Sequence, residues 1–215
     1  GKTNVSVNLG VSLSKQGKKV MIMDADLGLA NIDIMLGLHP RFNLSHVLSG
    51  ERELSEIIVD GPAGLRIIPA SSGISSMAGL NNAENAGIIR AFSDLTELVD
   101  VLIIDTAAGI DNSVINFCKA SHEVIVVVCD EPASITDAYA LIKVLNKEHN
   151  ILKFRVLANM ASNMQEGRML FNKILMVTDK FLNVSLDFLG TVPYDAQLKK
   201  AVQKQMPVTL AFPGC

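Results

Sequence analysis

Short runs of apolar residues alternate with longer amphipathic stretches along the whole chain. The apolar runs predict strands, and several are apolar at consecutive positions, which is typical of strands that are covered on both faces. These runs are residues 19–23, 65–70, 101–105, 124–129, 154–158 and 188–192. The amphipathic stretches predict helices at residues 3–16, 83–98, 113–120, 134–148, 165–182 and 196–205.

This alternation predicts right-handed βαβ units, and therefore an α/β fold with a mostly parallel β-sheet flanked by helices on both faces. Residues 31–62 do not continue this alternation of apolar runs and amphipathic stretches. We expect short helical turns and loops there, in an insertion that contacts a partner. We find no internal repeat and no linker, so we predict a single domain over residues 1–215.

The two ends of the sequence suggest a fragment. The chain opens on Gly1 and a helix, although a parallel α/β sheet needs a strand before that helix. Residues 212–215 follow the last predicted helix without a clear stop signal. We therefore expect that the first strand of the sheet is missing from the given chain and that the domain is truncated at both ends.

Composition excludes several classes of protein. Of the 215 residues, 49% are hydrophobic and 19% are charged, which excludes a disordered tail or a coiled coil. The net charge of −3 argues against binding to nucleic acid through bulk charge, and no specific nucleic acid is expected. The three cysteines lack metal-ligand spacing and suit a reducing cytosol. The apolar runs are too short to cross a bilayer.

Three predicted strands end in an aspartate, namely Asp24, Asp105 and Asp130. Ligands of open α/β sheets bind outside the carboxyl ends of the strands, so these acids could converge on one crevice. Each aspartate alone is explained as well by capping of the helix that follows it.

Gly1-Lys2-Thr3 before an amphipathic helix matches the right half of a phosphate-binding loop. Glycine allows the backbone to approach a phosphate closely, and a helix N-terminus favours negative charge. Three residues carry little weight alone. Asp105 strengthens the interpretation, because it follows an apolar strand as the Mg²⁺-binding acid of such ATPases does.

The chain resembles the MinD/ParA class of deviant Walker A P-loop ATPases. The similarity lies at residues 1–4, 24–31 and 105–109, which resemble the end of the P-loop, switch I and switch II. Within this class the chain is most similar to the flagellar-number regulators of the FlhG/FleN type. That similarity extends through residues 24–38, 127–141, 156–160 and 190–195.

The resemblance implies ATP and Mg²⁺ as cofactors and assigns a role to each matching residue. Asp26 would position the attacking water, and Lys2 would bind phosphate and assist catalysis. The metal would be bound by Thr3, Asp24 and Asp105, and Asp24 would also support the switch loop. The nucleotide would be contacted by Gly1, Lys2, Thr3, Asn4, Gly109, Asn159, Pro193 and Asp195. In that set Gly109 would sense the γ-phosphate, and Asn159 and Pro193 would contact adenine.

The resemblance also implies a bacterial cytoplasmic ATPase that forms a homodimer with ATP and controls flagellar number and placement. Implied partners are a flagellar signal-recognition-type GTPase, a flagellar transcription regulator, and the inner membrane through a C-terminal helix absent from this chain. The signature lysine of the class lies upstream of Gly1, so we expect the given chain to hydrolyse ATP poorly.

Two alternatives stay open. A division-site or DNA-partitioning ATPase of the same class would share every site residue. A protein-binding scaffold that does not hydrolyse ATP would keep the fold alone. We also hypothesise that residues 31–38 and the helix from Asp111 onward form the ATP-dependent dimer face, because both lie next to a switch.

Overall fold

The computed structural model describes residues 1–26, 30–70, 82–93, 95 and 98–214, which fall into two units. The first unit contains Lys2–Ala107 and Ala196–Cys215, and the second contains Gly1 and Ala108–Asp195. Each unit has its own sheet with helices packed on it. The predicted α/β class with mostly parallel strands is confirmed, while the single-domain assignment stays a prediction.

The sheet of the first unit has the strand order β2-β3-β1-β4. Its strands are β1 (Val20–Ala25), β2 (Val59–Asp60), β3 (Arg66–Ile68) and β4 (Val101–Thr106). β1 lies between β3 and β4 and is parallel to both, whereas β2 pairs antiparallel with β3. Every residue of β1 is buried, as its consecutive apolar positions predict. β2 has only two residues and was not predicted.

The helices of the first unit start with the long α1 (Lys2–Lys15), which packs on β1 and β4. The predicted short turns in residues 31–62 are α2 (Ile32–Met35), α3 (Leu44–Leu48) and α4 (Leu54–Ile57), and a 3₁₀ turn follows at Pro62–Gly64. α5 (Asn82–Ser93) ends before the predicted limit at Leu98, because Leu95 and Leu98 make short turns instead.

The second unit has a parallel sheet with the order β5-β6-β7. Its strands are β5 (Ile125–Val128), β6 (Lys153–Ala161) and β7 (Ser185–Pro193). Its helices are α6 (Asn112–Ala120), α7 (Pro132–His149) and α8 (Met164–Phe181). α6 and α7 begin one or two residues before the predicted starts, after Asp111 and Glu131, and neither side chain caps its helix.

The chain returns to the first unit with α9 (Gln197–Gln203) and α10 (Val208–Ala211). The backbone N–H and the hydroxyl of Thr209 each donate to Asn8 Oδ1 at 3.1 Å, which ties α10 to α1. Leu210 packs against the core cluster that contains Val7 and Ile22. Among the described residues no helix is both long and apolar enough to cross a membrane.

The approach of α1 to β1 depends on Gly10. A Cβ atom at Gly10 would lie 2.9 Å from Ile22 Cδ1 and 3.0 Å from Leu65 Cδ1, so the tips of these two side chains would have to shift to make room for it. The missing side chain therefore lets α1 lie close to the sheet. This packing sets the distance between the first turns of α1 and the carboxyl ends of β1 and β4, where the candidate site lies.

Candidate nucleotide-binding site

Lys2, Thr3 and Asn4 form the first turn of α1, where the predicted phosphate contacts lie. The first backbone N–H groups of a helix have no partner within the helix and carry partial positive charge. The first turn of α1 contains no acidic residue that would oppose a bound anion. The end of the helix can therefore bind phosphate.

Asp24 and Asp105 lie directly opposite each other on the neighbouring strands β1 and β4. Their exposed fractions are only 2% and 4%. Two of the three predicted acidic strand ends therefore meet at one edge of the sheet. Asp130 belongs to the second unit, where its carboxylate pairs with Lys173 Nζ at 2.7 Å on the protein surface.

Asp24 accepts three backbone hydrogen bonds from the chain that follows β1. Its Oδ2 accepts from the N–H groups of Asn31 and Ile32 at 2.8 and 3.0 Å, and its Oδ1 accepts from Asp26 at 3.2 Å. Asn31 precedes α2 but makes no side-chain cap, so Asp24 satisfies donors at the start of that helix. Burial raises the pKa of Asp24 to about 6, although the three N–H groups oppose this shift.

Asp105 is held by side chains of α1. Ser6 Oγ donates to its Oδ1 at 2.8 Å, and the Thr3 side chain forms a second hydrogen bond. Burial raises the pKa of the Asp105 carboxyl above its ordinary value, while these two hydroxyls and the charge of Lys2 act in the opposite direction. One face of α1 thus presents two hydroxyls to a buried carboxylate.

Lys2 connects the start of α1 to the chain that follows β4. Its Nζ donates to the backbone carbonyl of Ala107 at 2.6 Å. Ala107 lies two residues beyond Asp105, within the segment that resembles switch II. The lysine amine is therefore already placed beside the metal-binding candidate.

Asp26 lies two residues beyond Asp24 and is half-buried. Its negative charge raises the pKa of Asp105, which places the two carboxylates within electrostatic range. The predicted switch I loop continues through residues 27–29, which lie outside the described residues.

Asn159 is the buried member of the predicted nucleotide contacts in the second unit. It is 5% exposed on β6, and its Nδ2 donates weakly to Cys129 Sγ at 3.9 Å. A Cβ atom at Gly1 would lie 3.4 Å from the same Nδ2, so Gly1 is close to Asn159. β6 bulges immediately afterwards, where Met160 adopts a φ of 58°.

Three further predicted contacts of the second unit lie at its surface or near it. Pro193 ends β7 opposite Ala161 and is exposed, and Asp195 follows in a half-buried position. Gly109 has a φ of 102°, a backbone conformation that L side chains rarely adopt. A glycine is therefore favoured at the end of the segment that resembles switch II.

The oxygen donors of the first unit fit a magnesium ion. Mg²⁺ prefers hard oxygen ligands and is usually bound through one or two carboxylates together with phosphates and water. Thr3 and Asp105 supply a hydroxyl and a carboxylate side by side. Among the described residues there is no group of three His, Cys, Asp or Glu side chains that could hold a metal ion.

Ser6 and the Ala107 carbonyl are site groups that were not predicted. Ser6 follows Thr3 by three residues, so the two side chains lie on the same helical face. That spacing is the signal that could have revealed Ser6. The contact of Lys2 with Ala107 involves a backbone carbonyl, which every residue has, so the sequence gives no signal for it.

Comparisons with known proteins give a consistent result. A family model described as an AAA domain matches residues 1–157. Antiactivator FleN of Pseudomonas aeruginosa is 56% identical over 213 residues, which cover 99% of this chain and 76% of that protein. Flagellum site-determining protein YlxH of Helicobacter pylori is 35% identical over 206 residues, which cover 95% of this chain and 69% of that protein.

A solved structure shows the same fold. The septum site-determining protein MinD of Pyrococcus horikoshii, complexed with Mg-ADP, superposes with a TM-score of 0.81. The superposition covers 100% of this chain and 85% of that chain, at 21% sequence identity.

Proposed function

This chain belongs to the AAA-domain family of ATPases, in its FleN-type MinD/ParA branch, and we propose that it is an ATP-dependent dimerising switch that regulates flagellar number and placement. The observation that carries the ATPase assignment is the convergence of α1 and β4. Lys2, Thr3 and Asp105 meet there in the arrangement that phosphoryl transfer needs.

Catalysis in this site requires positioning and neutralisation of charge more than a strong base. Mg²⁺ supplies neutralisation of the phosphate oxygens when it is bound. Lys2 adds a positive charge for the phosphates. Mg²⁺ would be held by the Thr3 hydroxyl and the Asp105 carboxylate. Asp26 orients the attacking water, and Asp24 fixes the chain that carries Asp26.

Further nucleotide contacts are assigned from the resemblance to the family alone. Asn159 binds adenine through its side-chain amide, and Pro193 packs along the base. Gly109 senses the γ-phosphate through its backbone N–H. Gly1, Asn4 and Asp195 complete the nucleotide contacts.

The ATP-bound form is a homodimer in this proposal. Two large apolar side chains next to the proposed switches are exposed, with Ile34 at 60% and Ile110 at 49%. Burial of such side chains in a dimer would remove apolar surface from water. They support the hypothesis that residues 31–38 and the helix from Asp111 onward belong to the dimer face.

The flagellar role follows the names of the two relatives. FleN is called an antiactivator and YlxH a flagellum site-determining protein, which supports a transcription regulator as one partner and flagellar placement as one outcome. By resemblance, a signal-recognition-type GTPase is a second partner. We assign the protein to the bacterial cytoplasm, with peripheral attachment to the inner membrane in the ATP state.

An Asp26→Ala variant of the full-length protein tests the assigned chemistry. It loses the carboxylate that orients water, so ATP binding persists while hydrolysis falls about 100-fold or more, and the ATP dimer accumulates. Hydrolysis and oligomeric state are measured together, with Glu56→Ala, an exposed carboxylate in the same unit, as the matched control. A variant that stays monomeric with ATP and Mg²⁺ contradicts the assignment.

Two further measurements separate the alternatives. A wild-type protein that binds its partners without hydrolysing ATP would be the scaffold. Binding to DNA that is lost steeply with salt would favour a partitioning ATPase. A partitioning ATPase would share every site residue, so DNA binding is needed to distinguish it.

A further inference from the structure

We propose that Ser6 is a positioning residue that fixes the Asp105 carboxylate for Mg²⁺·ATP, an inference that rests on the proposed ATPase function. Ser6 Oγ donates to Asp105 Oδ1 at 2.8 Å. The contact joins the second turn of α1 to the end of β4 across 99 residues of sequence. Neither the motif of the P-loop nor that of switch II includes this position.

The burial of Asp105 makes this contact hard to replace. Asp105 is only 4% exposed, so water has little access to take the place of a lost donor. A hydrogen bond to a buried charged group contributes more than one between neutral groups. With one oxygen held by Ser6, the carboxylate has less freedom to rotate away from the metal position.

Ser6 and Thr3 carry out different parts of the same task. Thr3 is needed as a metal ligand, although its hydroxyl also bonds Asp105. Ser6 lies one helical turn further from the start of α1, and its hydroxyl donates to Asp105 Oδ1. Ser6 therefore holds the carboxylate while Thr3 serves both the carboxylate and the metal.

Magnesium titrations of the full-length protein test this proposal. Binding of a fluorescent ATP analogue is measured across Mg²⁺ concentrations and again in EDTA, for wild type and three variants. Ser6→Ala removes the donor, and Ser6→Thr keeps it. Ser14→Ala is the matched control, because the Ser14 hydroxyl on the same helix is buried without a partner in the described part of the chain.

We expect Ser6→Ala to raise the Mg²⁺ concentration at half-saturation about 10-fold, as the loss of a hydrogen bond to a charged group predicts. Its affinity for the analogue in EDTA stays within about twofold of wild type, because the proposal has Ser6 act only through Asp105 and the metal. Ser6→Thr and Ser14→Ala keep the wild-type response to Mg²⁺. Alanine is the best helix former, so α1 stays intact in both alanine variants.

Two results overturn the proposal. One is a Ser6→Ala variant with the wild-type Mg²⁺ requirement, and the other is an equal loss of affinity with and without the metal. If Ser6→Ala fails to fold, Ser6→Cys takes its place, because cysteine keeps the volume but its thiol is a weak donor. The Ser6→Cys variant must then require more Mg²⁺ than Ser6→Thr. A wild-type protein that binds no ATP analogue with Mg²⁺ overturns the proposed function instead, so the two failures are distinguishable.

Discussion

Asp24 and Asp105 occupy equivalent places on neighbouring strands but are held in different ways. They face each other in the parallel register of β1 and β4, and both are almost completely buried. Asp24 accepts three backbone N–H groups from residues 26–32. Asp105 accepts hydroxyl groups from Ser6 and Thr3 on α1.

We propose that this difference separates a mainly structural role of Asp24 from a metal-binding role of Asp105. Backbone donors fix the path of the chain, so Asp24 stabilises one conformation of the segment between β1 and α2. A hydroxyl donates a proton and still offers lone pairs, so Thr3 can bind Asp105 and a metal together. Position at the end of a strand therefore does not define the role of an aspartate, whereas the type of its donors does.

The largest effect is expected for Asp105→Asn. The substitution removes the negative charge that we propose holds Mg²⁺, while it keeps the volume of the side chain. We expect ATP hydrolysis to fall at least about 100-fold, the scale seen when a group that stabilises transition-state charge is lost. Binding of nucleotide in EDTA persists, and Asp60→Asn, an exposed residue of β2, serves as the control. Hydrolysis near the wild-type rate would show that Asp105 is not a metal-binding acid.

Asp24→Asn is expected to act mainly on stability. Asparagine has one acceptor oxygen where aspartate has two, so at least one of the three N–H groups loses its acceptor, and a buried unsatisfied group costs about 1–3 kcal/mol. We expect a loss of about 2 kcal/mol in the free energy of unfolding, together with faster hydrogen exchange at one or more of the Asp26, Asn31 and Ile32 amides. Denaturant unfolding and hydrogen exchange measure the two effects. Unchanged exchange at all three amides would contradict the structural role of Asp24.

The fold was more predictable than the site. The consecutive apolar residues of β1 and the spacing of α1 are local patterns, so both elements and the two aspartates at the strand ends were predicted. The hydrogen-bond donors of those aspartates were not predicted. The contact of Ser6 with Asp105 depends on how closely Gly10 lets α1 approach the sheet, which no local pattern shows. Backbone donors such as Asn31 N–H leave no signal in residue type. β2 was missed for a different reason, since two residues give no periodicity.

The smallest effect is a pH dependence of stability. Folding raises the pKa of Asp24 from 3.8 to about 6, so the folded state binds this proton more tightly than the unfolded state. The contribution of Asp24 to stability therefore grows as the pH falls and is lost as the pH rises through about 6. Between pH 7 and pH 5 we expect wild type to gain about 1 kcal/mol relative to Asp24→Asn.

Parallel unfolding curves of wild type and Asp24→Asn across that pH range measure the gain. The comparison between the two proteins cancels the titration of the other carboxylates. A difference in stability that does not change with pH would show that Asp24 is not a buried acid with a raised pKa.

The most direct test of the ATP switch is the oligomeric state of the full-length protein. Light scattering is recorded first with ADP and then with ATP and Mg²⁺. We expect a monomer with ADP and a dimer only with ATP and Mg²⁺. A protein whose mass does not depend on the nucleotide would contradict the ATP switch, and a protein-binding scaffold would then be the favoured function.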